Sequence, residues 1–362
     1  MFAQASFSIE PLQAEELDLY LSKGWFRMHQ YIFTCTYIPL NDQVYRVYWL
    51  RVLLDQFDND KTLKRLCRLN SKFTVKIQKA SITPEKEALY STYQTGITFN
   101  VTPTLEQLLF DDMNLNIYNT LEIDVYDKGK LIGLGYFDIG KNSAAGITSF
   151  YDPAYKKFSL GKYMIYQKML YCKAEKMKYY YLGYFAPGSK AFDYKLDIAK
   201  DALEYFDLPT QKWFDIKLWD SVSGSIEENR RKLISFQQQL DKVNIKNRLF
   251  RYPYFQANLY AELQGYELFD YYLFVYCFDF SADAINPLVV YDLRNGQYHL
   301  LKCQSVGKSD GPEMDTELYS FNLLKIEAFL YSTPNEKKMA EMVSRGFLKG
   351  RKVGGDSLVS NK

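Results

Sequence analysis

Histidine is nearly absent from this sequence, and its cysteines are few and dispersed. The 362 residues contain two histidines, His29 and His299, and neither accompanies a serine or cysteine motif, so the sequence predicts no catalytic triad. The five cysteines form no C-x-x-C pair and are odd in number, which argues against a disulfide framework and against a cysteine-bound zinc ion. We therefore expect a reducing, cytoplasmic location, with neither a metal nor a cofactor.

Motifs that bind phosphates or activate nucleophiles are also missing. The sequence has no GxxxxGK(S/T) loop, no HExxH, no GxSxG and no GxGxxG after a predicted strand, so hydrolase, kinase and dehydrogenase functions lose their usual support. The charge has no dominant sign either, because 45 basic residues face 43 acidic ones and leave a net charge of +2. Any affinity for nucleic acid must then come from local clusters of basic residues.

Long hydrophobic runs are absent as well. The most apolar window, Tyr271 to Phe278, is much shorter than the roughly 20 residues of a membrane-spanning helix. The start, MFAQASFSIEP, lacks the basic region and the apolar stretch of an export signal. Because 47% of the residues are apolar, the chain can bury two or three ordinary cores. We expect a soluble globular protein without a membrane span.

The middle of the chain carries the clearest structural pattern. TPEKEALYSTYQ begins with a threonine cap at Thr83 and a proline at the first helical position, which predicts a helix. The segments LEIDVYD, KLIGLGYFDIG and AGITSFYD then predict an antiparallel meander with a turn at Lys128-Gly129. A helix from about Leu160 to Lys176 and a strand at KYYYLGYF follow. This order is expected of an α+β acyltransferase sheet.

The rest of the chain predicts additional modules. Aromatic-rich segments indicate a small N-terminal module, residues 1–70, before the acyltransferase domain at 71–209. Ser225-x-x-Glu228 is a capping box, and a stripe from Ile226 to Val243 predicts a packing helix. Strands with a hairpin at Asn295-Gly296 complete an α+β module at 210–335. We expect residues 336–362 to form a flexible tail.

Two basic clusters stand out. The first has spacings of three and four, which places its members along one side of a helix, either as a solvated face or as a phosphate-binding one. It comprises Lys61, Lys64, Arg65 and Arg68. The second lies where a strand gives way to a helix, and unpaired amides at a helix start favour anions. Lys156, Lys157, Ser159, Gly161 and Lys162 form this corner, which could hold the phosphates of coenzyme A or the CCA end of a tRNA.

The segment around the corner has a more specific likeness. FYDPAYKKFSLGKYMIYQKMLYCKAEKMKYYYLGYFAPGSKAFDYK resembles the C-terminal half of the arginyl- and leucyl-tRNA-protein transferases, in which FYDP, SLG, a long helix, YxYLGY and Tyr-Lys follow one another. KGWFRMHQYIF, DNDKTLKRL and TPEKEALYSTYQ resemble further family segments, so the likeness covers about residues 20–205. Two departures stand out, because the family's N-terminal cysteine cluster has no counterpart beyond Cys35 and Cys67, and Ser189 replaces the cysteine that follows the LGY strand.

The resemblance implies a GNAT-like enzyme that moves an arginyl or leucyl residue from charged tRNA to a protein's N-terminal amine, commonly of Asp or Glu, and so marks that protein for degradation. Aminolysis of an ester needs positioning and a proton acceptor, without a metal or a covalent intermediate. The matching positions imply catalytic roles for Asp152, Tyr184 and Tyr194 and substrate binding by Tyr151, Ser159, Leu160, Gly161, Tyr181, Gly183 and Lys195. The two basic clusters would bind tRNA through Lys61, Lys64, Arg65, Arg68, Lys156, Lys157 and Lys162.

Two alternatives remain open at this point. The first is an acyl-CoA-dependent N-acyltransferase of the same fold, although that class commonly has an (R/Q)-x-x-G-x-(G/A) loop and the run from Lys157 to Gly161 supplies one glycine. The second is a non-catalytic adaptor that binds N-termini or RNA and holds a partner through residues 210–335. The loss of the cysteine cluster favours the adaptor, whereas the retained FYDP, SLG and YLGY motifs favour the enzyme.

Overall fold

The structure of the chain is a computed structural model. It describes residues 3–6, 10–40, 43–57, 61–97, 102–110, 115–190, 192–208, 210–219, 226–259, 263, 265–277, 287–308 and 322–355. The chain divides into two compact units. The larger unit comprises Gln4–Ile38 and Tyr45–Trp219, and the smaller unit comprises Met1–Ala3, Pro39–Val44 and Asp220–Lys362.

The helices and strands of the described residues are labelled here in chain order. The helices are α1 (Ala14–Ser22), α2 (Lys61–Leu69), α3 (Pro84–Gln94), α4 (Leu105–Phe110), α5 (Leu160–Ala174), α6 (Ile226–Lys242) and α7 (Glu336–Gly355). The strands are β1 (Ala3–Ser6), β2 (Phe26–Met28), β3 (Tyr31–Thr34), β4 (Tyr37–Leu40), β5 (Gln43–Arg46), β6 (Tyr48–Leu53), β7 (Thr74–Lys79), β8 (Thr120–Asp127), β9 (Lys130–Ile139), β10 (Ser143–Tyr151), β11 (Tyr179–Phe185), β12 (Leu203–Asp207), β13 (Lys212–Asp215), β14 (Asn247–Arg251), β15 (Leu273–Cys277), β16 (Pro287–Asp292), β17 (Gln297–Lys308) and β18 (Asn322–Thr333).

An eight-stranded sheet organises the larger unit, in the order β13-β12-β6-β11-β10-β9-β8-β7. Its β8-β9-β10 meander is antiparallel, which confirms the prediction from sequence. Lys128 and Gly129 both have positive φ angles, 49° and 88°, as the two-residue turn between β8 and β9 requires. The strand, helix and strand unit β10-α5-β11 follows, and β10 and β11 are parallel.

Helices α3 and α5 cover opposite faces of the sheet. Successive residues of a strand point to opposite sides. On β9, Tyr136 belongs to the core beneath α3, whereas Gly135 faces Lys168 of α5. The cap predicted for α3 is present, since Thr83 accepts a hydrogen bond from the amide of Lys86 at 3.4 Å and Pro84 occupies the first turn. The fold is therefore the α+β acyltransferase type that the order of elements predicts.

The first 70 residues do not form a module apart from this sheet. Strand β6 lies between β11 and β12 and pairs with both. The reason is its composition, because Leu50 and Val52 are fully buried in the main core. Arg27 ties the preceding hairpin to the sheet by hydrogen bonds to the side chains of Asp138 and Thr120, both at 2.9 Å. The predicted boundary at residue 70 thus differs from the observed larger unit, which runs on to Trp219.

The smaller unit contains a five-stranded antiparallel sheet in the order β14-β15-β16-β17-β18. Leu233, Phe236 and Leu240 of α6 are fully buried, as the stripe predicted, whereas the capping serine Ser225 lies outside the described residues. The tail is helical over Glu336–Gly355, and residues 356–362 lie outside the described residues. Its residues Met339, Ala340 and Val343 are buried in the same core, because their spacing places them on one helical face.

Two general properties complete the description. Within the described ranges, no helix is both long enough and apolar enough to span a membrane. All five cysteines are free thiols, and four of them are buried.

Candidate active site

A pocket opens where two parallel strands part. Strands β10 and β11 are paired over only three residues, from Ser143 and Tyr179 to Ala145 and Tyr181. Beyond them β10 stays with β9, β11 stays with β6, and each strand has a register shift at the point of divergence. The gap holds a cavity of about 510 Å³ lined by residues from β10, β11, α3, α5 and the segment after β11. Splayed parallel strands with a helix start beneath them are the arrangement expected of a GNAT-like acyltransferase.

The start of α5 forms the basic wall of this pocket. Asp152 accepts a hydrogen bond from the amide of Ala154 at 3.0 Å and so caps the short 3-10 turn Pro153–Phe158. Ser159 follows with a left-handed backbone, φ 52°, which turns the chain into α5 at a conformational cost for a non-glycine residue. Ser159, Gly161 and the side chains of Lys156 and Lys162 line the pocket. The first amides of α5 have no partner within the helix, so the corner suits an anion.

Lys168 reaches the pocket from the middle of α5. Only 1% of this residue is exposed, and its Nζ lies 3.0 Å from the carbonyl oxygen of Tyr136, 2.9 Å from that of Thr148 and 2.9 Å from Ser149 Oγ. All three acceptors are uncharged. Loss of solvent lowers the pKa of Lys168 to about 7.

The segment after β11 provides the facing wall. Tyr194 and Lys195 line the pocket, and Lys195 Nζ donates to the carbonyl oxygen of Tyr184 at 2.7 Å. Lys195 is half-buried, and its Nζ lies 5.5 Å from the ring centres of both Tyr184 and Phe192. Removal of solvent around its ammonium lowers the pKa of Lys195 to about 7.

The charge of the pocket is one-sided. Among the described residues that line it, four are lysines and none is aspartate or glutamate. The lysines are Lys156, Lys162, Lys168 and Lys195. Lys162 has a carboxylate partner outside the lining, since its Nζ lies 3.2 Å from the exposed Asp197. The site is therefore built to receive negative charge and to repel a cation.

Some of the predicted site residues meet at this pocket. Those that line it are Tyr151, Lys156, Ser159, Gly161, Lys162, Tyr194 and Lys195. The side chain of Lys157 contacts the ring of Phe158 instead, at 5.3 Å. The four basic residues of α2, which are Lys61, Lys64, Arg65 and Arg68, are exposed on one side of that helix, while Leu63 and Leu66 are buried on the other.

Other predicted residues lie behind or beside the pocket. Asp152 forms an ion pair with Lys130 at 2.8 Å, and the hydrogen bond from Lys130 lowers the pKa of this carboxyl. Leu160 is fully buried in the core. Tyr181 and Tyr184 pack in an aromatic cluster with Phe26 and Trp49. Gly183 lies behind Lys195, since a Cβ at this position would come within 3.3 Å of the lysine Nζ.

Sequence reasoning missed several lining residues. Lys168, Ser149, Tyr93, Tyr180 and Leu182 all line the pocket. One signal for Lys168 was available, because it falls on the buried side of α5 between Tyr166 and Met169, where a charged residue is out of place. No comparable signal marks Ser149, whose role depends on the divergence of the strands.

The family's cysteine-bound centre has no suitable residues in the described part of the chain. Cys35 is buried, and burial raises the pKa of its thiol to about 12, which opposes the thiolate that a metal needs. Cys67 contacts Gln167 at 3.7 Å, and its pKa is also raised by burial. Among the described residues, no group of three or more histidine, cysteine, aspartate or glutamate side chains could hold a metal ion. The residues present do not fit this centre.

Comparison with known proteins bears on the same region. Residues 85–203 match the family model described as "Arginine-tRNA-protein transferase, C terminus". A protein of Leptospira interrogans named "Aspartate/glutamate leucyltransferase" is 31% identical over 191 residues, which cover 51% of this chain and 73% of the relative. The chain belongs to the arginine-tRNA-protein transferase family. A second relative of the same name, from Agrobacterium fabrum, is 26% identical to this transferase over 196 residues, with 51% of the chain and 77% of the relative covered.

Solved structures are similar only at a low level. A "Tandem GNAT protein from the clavulanic acid biosynthesis pathway" has 11% identity and a TM-score of 0.32, with 55% of this chain and 58% of that chain covered. FemX has 9% identity and a TM-score of 0.30, with 51% and 64% covered. These similarities are too low to support a fold assignment. The GNAT-like assignment depends on the splayed strands described above. The transferase is an aminoacyltransferase whose substrates are an aminoacyl-tRNA and a protein.

Proposed function

We propose that this transferase moves a leucyl residue from tRNA to the N-terminal amine of proteins that begin with Asp or Glu, and that the added residue marks them for degradation. The observation that carries the proposal is the charge of the pocket, whose lining includes four lysines and no carboxylate. The printed names of the relatives, which specify aspartate, glutamate and leucine, support the same substrates.

The pocket distinguishes the two candidate donors by charge. An arginyl group would bring a guanidinium that stays protonated in proteins, and the lining offers lysines rather than a carboxylate to receive it. A leucyl side chain needs apolar walls instead, and Ile147, Ile165 and Leu182 supply them. Leucine is therefore the donor that the pocket favours over arginine.

Lys195 is the group best placed to recognise an acidic acceptor. Its Nζ donates a hydrogen bond to the carbonyl oxygen of Tyr184, and it faces the pocket from the wall opposite the α5 corner. An incoming Asp or Glu carboxylate would favour the charged form of Lys195 and form a charge-assisted hydrogen bond with it. A neutral first residue would leave the lysine without this partner.

A basic surface leads from α2 towards the pocket. Asn70, just after α2, donates to the carbonyl oxygen of Phe158 at 3.1 Å, and Lys72 lies 4.6 Å from the centre of the Phe158 ring. The C-terminal end of α2 is thereby fixed next to the 3-10 turn that carries Lys156. We infer that the tRNA backbone follows this surface while its acylated 3′ end enters the pocket.

A transfer assay tests donor and acceptor together. The protein is incubated with leucyl-tRNA or arginyl-tRNA and with peptides that differ only in the first residue, which is Asp, Glu, Asn or Lys, and the products are read by mass. We expect leucine on the Asp and Glu peptides. Arginine transfer at a comparable rate, or modification only by an acyl-CoA, would contradict the proposal. In Lys195→Gln, the preference for Asp over Asn should fall by about 10- to 100-fold, the value of one charge-assisted bond.

Binding of tRNA across a salt series tests the α2 surface. The double variant Lys64→Glu, Arg65→Glu should weaken binding and reduce the slope of log affinity against log salt by about 0.7 to 0.9 for each lost phosphate contact. Lys178→Glu, an exposed position just beyond α5, serves as the matched control. An unchanged slope in the double variant would remove α2 from the tRNA path.

A further inference from the structure

We propose that Ser149 and Lys168 form a proton relay, in which Ser149 takes the proton of the attacking amine and Lys168 stores it until it is returned to the ribose oxygen of the tRNA. The proposal rests on the proposed function, since it supplies the proton transfer that aminolysis of the ester requires. Lys168 is the proton-holding residue that acts through Ser149.

Ser149 and Lys168 lie where the backbone leaves room for their side chains. The register shift of β10 between Gly146 and Thr148 interrupts the β9-β10 pairing. At this irregularity, Lys168 Nζ donates hydrogen bonds to the carbonyl oxygens of Tyr136 and Thr148. Gly135 is directly opposite, where a Cβ would come within 2.7 Å of both Lys168 Nζ and Ser149 Oγ. Any larger residue at position 135 would displace the pair.

The hydrogen bonds around Lys168 can be satisfied with or without the extra proton. As an ammonium, Lys168 has three N–H donors for its three acceptors. As an amine, it can keep both bonds to the carbonyl oxygens and accept one from the Ser149 hydroxyl, which rotates freely. The change therefore moves one proton along the 2.9 Å contact between Nζ and Oγ and needs no rearrangement of the backbone.

Within the part of the chain that the structure describes, no fixed counter-charge holds Lys168 in the ammonium form. Cys172 lies one turn further along α5, and burial raises the pKa of its thiol to about 12, so it is neutral. Burial raises the pKa of the Tyr180 phenol, on β11, well above its ordinary value, so this group is neutral too. Lys195, from the segment after β11, and Lys162, from α5, face the pocket as cations or amines, and the ring of Phe137 from β9 lies 5.6 Å from Nζ. With the pKa of Lys168 lowered to about 7, part of it is free base at neutral pH.

The step balances without another reactant. The amine nitrogen of the acceptor attacks the ester carbonyl carbon, and a C–N bond forms. The N–H proton passes to Ser149 Oγ while the serine's own proton passes to Lys168 Nζ. As the bond from carbon to the ribose oxygen breaks, the proton returns through Ser149 to that oxygen. The products are an amide and a free ribose hydroxyl, and both side chains end as they began.

The test compares pH profiles of single-turnover leucine transfer to an Asp peptide. Lys168→Arg retains a cation and N–H donors but stays protonated, so we expect a loss of about 10²- to 10⁴-fold, the usual contribution of general acid–base catalysis. Because the pKa of Lys195 is also about 7, the profiles are compared in the Lys195→Gln background. There the inflection near pH 7 should disappear in Lys168→Arg, and the one that remains, near 7.7 to 8, should belong to the acceptor amine. Ser149→Ala should show the same pattern. Lys173→Met, on α5 outside the pocket lining, is the matched control.

Affinity for leucyl-tRNA and the thermal transition are measured on the same samples. The relay predicts that the affinity of Lys168→Arg and Ser149→Ala stays within about threefold of that of the wild type while the rate falls. A wild-type protein that transfers leucine with a pH profile unchanged in both variants would overturn the relay alone. A wild-type protein that transfers no leucine would overturn the proposed function and the relay with it. If Lys168→Arg fails to fold, the profile of Ser149→Ala decides.

Discussion

Lys86 and Lys168 are both almost fully buried in the larger unit, yet their surroundings differ completely. Lys86, from α3, forms an ion pair with Glu122 at 2.6 Å, and its side chain is 5% exposed against 0% for that of Glu122. Lys168, from α5 on the other face of the sheet, has only two carbonyl oxygens and a hydroxyl. Lys86 therefore has a carboxylate partner that neutralises its charge, whereas the described residues give Lys168 none.

The difference separates a structural lysine from one that can exchange a proton. A paired charge is held in its ionised form by its partner, whereas an unpaired buried amine responds to small changes nearby. The ion pair of Lys86 fastens α3 to β8, and Ser81 and Gln78 complete its hydrogen bonds. Lys168 fastens α5 to the sheet only through neutral groups, and it faces a pocket.

The largest expected effect is on stability. Lys86→Met leaves Glu122 buried without its counter-charge, and breaking a buried pair from one side costs about 3 to 5 kcal/mol of unfolding free energy. Lys168→Met removes an unpaired charge and should cost far less at neutral pH. Urea denaturation of both variants measures the contrast. Equal losses would show that the two lysines are not distinguished by their partners.

A second prediction concerns the carboxylate next to the Lys86 pair. Burial, and then the charge of Glu122, raise the pKa of Asp124 to about 6. A raised acid pKa means that the folded state loses stability as the pH rises through 4 to 6, and the cost is complete above that range. Asp124→Asn should therefore be more stable than the wild type at pH 7, by about 1 to 3 kcal/mol from 1.36 kcal/mol per pKa unit.

Chemical denaturation at pH 4 and pH 7 checks this prediction. The advantage of Asp124→Asn should vanish at pH 4, where the wild-type carboxyl is protonated. The same difference at both pH values would mean that Asp124 carries no charge penalty.

A third prediction concerns the change of stability with pH. The folded-state pKa of Lys168 is about 7, and an unfolded lysine titrates near 10.4, so the folded state binds fewer protons between these values. Its stability should then rise as the pH increases through this window. Relative to Lys168→Met, the wild type should gain about 3 to 4 kcal/mol between pH 7 and pH 10, from 1.36 kcal/mol per pKa unit. Denaturation midpoints of the two proteins in parallel measure it, and parallel curves would contradict the lowered pKa.

Local patterns were enough to predict the elements around the site. The cap at Thr83, the Lys128-Gly129 turn and the strand-to-helix corner at Ser159 are each determined by a few neighbouring residues, and all three are present. The pattern at the Ser159 corner also predicted where the basic wall of the pocket lies. The resemblance to the transferases supplied the family, which the comparisons confirmed.

Side-chain directions within the site depended on long-range pairing and could not be predicted. The register shift in β11 between Tyr181 and Gly183 breaks the alternation of that strand, so Tyr180 and Leu182 line the pocket while Tyr184 joins Tyr181 in the aromatic cluster. A strand without this irregularity would have kept Tyr184 on the side of Tyr180. Ser149 was missed for a similar reason, because its contact with Lys168 depends on the irregular pairing of β10 with β9.

The bare backbone at position 135 has a consequence for how variants of this protein should be interpreted. Gly135 lies on a central strand, where a survey of substitutions would attribute any intolerance to folding. Since even a methyl group there would collide with both Lys168 Nζ and Ser149 Oγ, alanine would disable the transfer reaction from a residue that is itself absent from the pocket wall. The space left by the missing side chain at Gly135 is therefore a requirement of the proposed relay.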